Sequence, residues 1–141
     1  MFVLVVGAGR VGASVATAAL RQGHTVSILD EDPMSHERLD VELGSSWEEA
    51  GGQFTIGTAM EMEALVEAGI DRADVFIAST NGDNTNLVIA QIAQKRFGVG
   101  RVIARVLDPA RASWYSEQGL ETICPTQFAI TEFERVLGVS G

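Results

Sequence analysis

Apolar residues fall along this chain in short runs of two kinds, alternating in order and separated by turn residues. Phe2 to Val6 is a continuous apolar run of strand length. Gly7-Ala8-Gly9-Arg10-Val11-Gly12 interrupts it, and Ala13 to Arg21 follows with small and apolar positions at helical spacing. Thr25 to Leu29 is a second strand, ending on Asp30. Glu31-Asp32-Pro33 then turns the chain into a short polar helix, Ser35 to Leu43. Glycine-rich breaks at 44–46 and 50–52 flank Trp47, which reads as a cover for the edge of the core or as part of a partner surface.

The alternation continues to the end of the chain. Gln53 to Ile56 is a third strand, closed by Gly57-Thr58-Ala59, and Met60 to Ala68 a helix with Gly69 as its cap. Asp74 to Ser79 is a fourth strand, apolar enough to be central, and the polar segment Thr80 to Asn86 leads into a helix from Thr85 to Phe97. Within that segment Asp83 or Asn84 is the expected helix cap, with Thr80 and Asn81 facing a ligand. Arg101 to Leu107 is the fifth strand, Ala110 to Gln118 a helix, Glu121 to Cys124 a brief sixth strand, and Thr126 to Leu137 a final amphipathic helix. Strand and helix alternating six times predict an α/β fold, a doubly wound parallel six-stranded sheet of order 3-2-1-4-5-6, as one Rossmann-like domain over residues 1–141.

The first strand, glycine turn and helix carry the most specific chemistry. Gly7 permits a sharp turn, Gly9 leaves room for backbone to approach a pyrophosphate, and Gly12 lets the helix lie close on the sheet. Phosphate oxygens then meet the free N–H groups and positive dipole end of a helix. Asp30 stands eighteen positions after Gly12 (30 − 12), at the place where a carboxylate accepts hydrogen bonds from an adenosine ribose. With Glu31 and Asp32 beside it, that carboxylate repels a 2′-phosphate, which disfavours NADP. Arg105, on a central strand, is expected to be paired or to face the ligand.

Charge and composition narrow the partners. A formal net charge of −9 argues against nucleic acid and against an anionic bilayer, both of which need a basic surface. Cys124 is the single cysteine, so an internal disulfide is excluded and a reducing cytoplasm fits. No apolar run reaches the ~18 residues of a membrane span, so direct insertion in a bilayer is not expected. The stock of acid–base groups suited to a dehydrogenase is His24, His36, Lys95 and Tyr115, and none is expected near the carboxyl ends of the strands. There is no Walker lysine, no metal-ligand spacing and no nucleophile elbow. The expectation is a receptor for a nucleotide with no catalytic residue and no metal.

GAGRVG, Asp30, Gly57-Thr58-Ala59, the TNGDNTNLVIAQIAQ segment and RVIARV together resemble the TrkA-N domain, the nucleotide-binding regulatory domain of potassium transporters and channels (RCK/KTN). The pattern T-N-x-D-x-x-N, here Thr80, Asn81, Asp83 and Asn86, is its most specific part. The resemblance implies a cytoplasmic regulatory subunit that binds NAD or NADH, or alternatively ATP, ADP or AMP. It implies assembly as a homodimer or larger ring, possibly with a second TrkA-like chain, peripheral to the inner membrane on a membrane potassium transporter subunit. Carried over to this sequence, Gly7, Ala8, Gly9, Arg10, Val11 and Gly12 make the phosphate loop, and Asp30 holds the ribose, with Glu31 beside it in the binding site. Thr58 and Ala59 flank the adenine, and Thr80, Asn81, Asp83 and Asn86 belong to the pocket segment. Arg105 points toward the phosphates or a dimer neighbour, and the last helix crosses to a second protomer. The chain departs from the family in having Thr58 where an acid is usual, and in lacking the C-terminal RCK domain that commonly follows. A native short form and a piece cut at the domain boundary both fit that end. An NAD-dependent oxidoreductase fragment without its substrate domain, and a nucleotide-free scaffold, are the alternative readings.

Overall fold

All six apolar runs form strands of one sheet in a computed structural model, which describes residues 1–139; the last two residues of the expected 1–141 domain lie outside the described residues. The elements are β1 (Phe2–Val6), α1 (Arg10–Arg21), β2 (Thr25–Asp30), α2 (Met34–Leu43), β3 (Gln53–Ile56), α3 (Met62–Ala68), β4 (Val75–Ala78), α4 (Asp83–Gln91), β5 (Arg101–Arg105), α5 (Pro109–Glu117), β6 (Glu121–Ile123) and α6 (Pro125–Leu137). Every neighbouring pair is parallel, in the order β3-β2-β1-β4-β5-β6, as the alternation predicts. The order reverses between β1 and β4, which opens a crevice at the carboxyl ends of those strands.

Strand alternation divides the core in two. Leu4, Val6, Leu29, Phe76 and Ala78 face α3 and α4 on one side of the sheet, meeting Leu65, Leu87 and Ile89. Val3, Val5, Val26 and Ile28 face α1 and α2 on the other, with Ala13, Ala16 and Leu39. Trp47 is fully buried in that second layer, its backbone N–H donating to Asp40 Oδ1 at 2.8 Å and its indole N–H to the Gln53 carbonyl at 3.0 Å. The reading of Trp47 as core cover therefore holds, and the partner-surface reading does not.

Most boundaries shift by one or two residues, and three differences stand out. Helix α1 begins at Arg10 rather than Ala13, because Gly9 is already the extended residue that starts it. Strand β5 stops at Arg105, two residues short, where Val106 turns to hydrogen-bond the Ile123 carbonyl. The long fourth helix is α-helical only to Gln91 and continues as a π-helical turn, Ile92–Arg96.

Helix α6 is set apart from the rest: none of its residues is buried, and Phe128, Phe133, Val136 and Leu137 are each about 70% exposed. On the α1 side of the sheet, Val75, Ile77, Ile103 and Ile123 share a face by register and are only partly covered.

Helix α1 lies very close on the end of β1. A Cβ at Gly12 would lie 1.9 Å from the Gly7 carbonyl oxygen, so the helix must lift off the strand to admit any side chain. Gly12→Ala is expected to cost about 1–3 kcal/mol, the scale of overpacking, seen as a lower urea midpoint. A midpoint equal to that of the parent protein would show that the contact is not restrictive.

Candidate functional site

The crevice between β1 and β4 is a cleft of about 440 Å³, and its floor is the turn that joins β1 to α1. Gly7 has φ +99°, a conformation that favours glycine, and a Cβ there would meet the Ser79 carbonyl oxygen at 2.6 Å. Ser79 closes the junction from the other strand, its hydroxyl donating to the Val6 and Gly7 carbonyls at 3.2 and 2.9 Å. Gly9 is different: a Cβ built on it meets nothing within 4 Å, so the open space lies directly against backbone. No side chain caps α1, which leaves the N–H groups of its first turn without a partner. That is an arrangement suited to an anion.

Asp30 ends β2 on the same cleft, and its carboxylate is already fixed in place. Oδ2 accepts the Ala8 N–H at 2.6 Å and Oδ1 accepts the Asp32 N–H at 2.8 Å. Each oxygen keeps lone-pair capacity for a further donor, such as a ribose hydroxyl. Asp32 in turn accepts the Met34 N–H at 3.0 Å and the Arg38 guanidinium at 3.1 Å. Arg38 also donates to the Ala8 carbonyl at 3.2 Å, so Ala8 is held through both its N–H and its C=O.

At the end of β4, Asn86 organises the backbone. It is 1% exposed and uses its whole amide: Nδ2 donates to the carbonyls of Thr80 and Arg105 at 3.1 and 2.9 Å. Its Oδ1 accepts from the Thr80 N–H at 2.9 Å and the Thr80 hydroxyl at 2.6 Å. The expected cap on α4 is corrected here. Gly82 occupies the cap position with no side-chain bond, and Asp83 reaches across to accept the N–H groups of Leu107 and Asp108 at 2.8 and 3.1 Å. Asn84 likewise turns outward, accepting from Arg111 at 2.6 Å. Arg105 donates to the Thr80 carbonyl at 3.3 Å, and its buried Nε has no partner among the described residues.

Of the residues singled out from sequence, Gly7, Gly9, Asp30, Glu31, Thr58, Ala59, Thr80 and Asn81 line the cleft. Ala8, Gly12, Asp83 and Asn86 stand behind that lining, holding loop and strand ends, and Arg10 and Val11 are exposed on the first turn of α1. Arg105 also lies off the cleft wall. Asp32, read from sequence as standing beside Asp30, is also on the wall, and Arg38, Ser35 and Met60 join it without having been anticipated. Arg38 is the one cation facing Asp30, Glu31 and Asp32 there, and no His, Lys, Tyr or Cys is among the lining residues. Nothing in a helix as evenly polar as α2 distinguishes Arg38 from its solvent-facing neighbours; only the acid at Asp32, six residues earlier, hinted at a partner.

Away from the cleft, His36, Asp40 and Glu48 converge, although their spacing suggested no metal site. Asp40 faces Nδ1 of the imidazole at 3.5 Å and Glu48 bonds Nε2. Because the two carboxylates approach opposite ring nitrogens, the group is built as a polar clip between α2 and the turn at 45–49 rather than around one ion.

Comparison with known proteins agrees with this architecture. The TrkA-N domain description matches residues 3–125. The Trk system potassium uptake protein TrkA of Streptomyces coelicolor is 40% identical over 141 residues, covering the whole of this chain and 60% of that protein. A TrkA homolog of Methanothermobacter thermautotrophicus is 28% identical over 138 residues, again covering 60% of its length. The chain thus spans about 60% of these curated relatives. Among solved structures, the Kef CTD of Shewanella denitrificans in AMP-bound form superposes with a TM-score of 0.75 at 25% identity, covering 99% of this chain and 84% of that one. The TrkA-N domain of the inner membrane protein ybaL from Escherichia coli gives 0.78 at 19% identity, covering 96% of both, and supports the fold alone. With the domain matched over most of the length and a 40% identical relative covering all of it, the chain belongs to the TrkA-N domain family.

Proposed function

We propose that the chain is a nucleotide-sensing regulatory module of a Trk-type potassium uptake system, which binds an adenine nucleotide in the β1–β4 crevice and passes its occupancy to a membrane potassium transporter. The observation that carries this reading is the pairing, in one cleft, of an uncapped helix N-terminus against Gly9 with a fixed carboxylate at Asp30. A diphosphate and a ribose need those two features side by side. The AMP-bound form of the Kef relative and the Trk naming of the 40% identical relative support it. NAD or NADH, ATP, ADP and AMP are all candidate occupants, and the three acids on the wall disfavour a 2′-phosphate. The absence of His, Lys, Tyr and Cys from the cleft lining favours sensing over turnover.

Assembly follows the same reading. Helix α6 offers Phe128, Phe133, Val136 and Leu137, while the sheet face of Val75, Ile77, Ile103 and Ile123 lacks full cover. A second copy placing its α6 on this chain, and receiving this chain's α6 in return, covers both by two-fold symmetry. Among the described residues no helix is long and apolar enough to cross a membrane, and the Trk naming of the 40% identical relative supports contact with the bilayer through a transporter. The module's place is the cytoplasmic side of the inner membrane.

Four measurements check this. A panel of AMP, ADP, ATP, NAD and NADH at saturating concentration is expected to raise the melting temperature for at least one compound; no shift with any of them removes the nucleotide from the proposal. Asp30→Ala is expected to weaken the preferred nucleotide by about 1–3 kcal/mol in calorimetry, the scale of a charged hydrogen-bond acceptor. Gly9→Val, which fills open space without disturbing an extended residue, is expected to abolish binding and leave the fold intact; tight binding by this variant places the phosphates elsewhere. Phe128→Asp with Phe133→Asp is expected to convert a dimer to a monomer in sedimentation, and an unchanged dimer assigns the contact to another surface.

A further inference from the structure

We propose that Arg38 is a positioning residue for the phosphate loop, locking the Ala8–Gly9 peptide so that the loop presents N–H groups and not a carbonyl to an anionic ligand. The proposal rests on the nucleotide reading of the crevice and goes beyond it by assigning the loop's geometry to a side chain on a different helix. Four contacts form a closed ring: Ala8 N–H to Asp30 at 2.6 Å, Asp32 N–H to Asp30 at 2.8 Å, Arg38 to Asp32 at 3.1 Å, and Arg38 to the Ala8 carbonyl at 3.2 Å.

The need for such a ring follows from the loop itself. Ala8 lies between two glycines, Gly7 at φ +99° and the extended Gly9, where backbone is least restrained. The carbonyl of Ala8 and the N–H of Gly9 belong to one planar unit and point in opposite directions. Rotating that unit brings a carbonyl oxygen where the N–H stood, and a carbonyl repels phosphate as an N–H attracts it. The Gly9 N–H has no acceptor among the described residues, so nothing on its own side fixes the plane. Arg38 fixes it from the other side. A guanidinium suits the task because its planar fork reaches two acceptors at once, whereas an ammonium is a point charge. Asp32 holds that fork in place and Asp30 holds the N–H of the same Ala8, so the ribose carboxylate and the phosphate loop share one rigid frame.

The test compares Arg38→Ala, Arg38→Lys and Asp32→Asn with the parent protein, using adenosine and ADP as probes in calorimetry and amide hydrogen exchange by NMR without ligand. Arg38→Ala is expected to weaken ADP about tenfold and adenosine by no more than about twofold, the loss scaling with phosphate because the charge-assisted anchor acts on the phosphate seat. Arg38→Lys is expected to fail to restore ADP binding although it keeps the charge, and Asp32→Asn to shift ADP in the same direction as Arg38→Ala. In the ligand-free protein the Ala8 amide is expected to exchange about tenfold faster in Arg38→Ala at an unchanged melting temperature, reporting a local opening. Equal losses for adenosine and ADP, rescue by lysine, or an unchanged Ala8 exchange rate each overturn the positioning role. Should the parent protein bind neither probe, the nucleotide reading falls by itself, and the exchange rate alone still decides whether Arg38 restrains the loop.

Discussion

The contact of Gly12 with the carbonyl of Gly7 is the constraint on which the site rests. It brings α1 down onto the end of β1 closely enough that the helix N-terminus opens straight onto the crevice. Ser79, arriving on β4, ties the carbonyls of Val6 and Gly7 and so fixes the strand end that the helix leans on. Loosening either contact would move the free N–H groups of α1 relative to Asp30, and the distance between those two features decides whether one ligand can span them.

Around that junction the residues fall into two sets with different work. One set meets open space: Gly9, Asp30, Thr58, Ala59, Thr80 and Asn81. The other lies off the cleft lining and ties backbone together. Asn86 saturates its amide on Thr80 and Arg105, and Asp83 binds the backbone after β5, so the ends of β4 and β5 are tied into one unit. A buried amide with every hydrogen-bonding group matched gives orientation as well as stability, because any shift leaves a polar atom unpartnered. The most family-specific segment of the sequence therefore holds the cleft wall upright rather than supplying most of it.

Sequence made the sheet legible because its strands are short apolar runs, bounded by glycine and proline, whose order follows from right-handed crossovers. Gly7, Gly9 and Gly12 were readable for a similar reason: each has a steric role that no other residue type fills. Asp83 and Asn86 were readable as important but not as to purpose, since an Asp or Asn before a helix serves equally as a cap, a ligand contact or a strand tie. Arg38 was not singled out from the sequence. Its partners, Ala8 and Asp32, lie thirty and six residues away, and only the folded chain brings them together. The exposure of α6 was not readable from its amphipathic pattern, which states that a face will be covered without stating by what; only the family resemblance pointed to a second protomer.

The two borders of the sheet are both brief, four residues in β3 and three in β6. Few ladder groups are left open there, so adding a foreign strand to either border gains little. Growth by lateral strand addition is discouraged at both borders for the same reason.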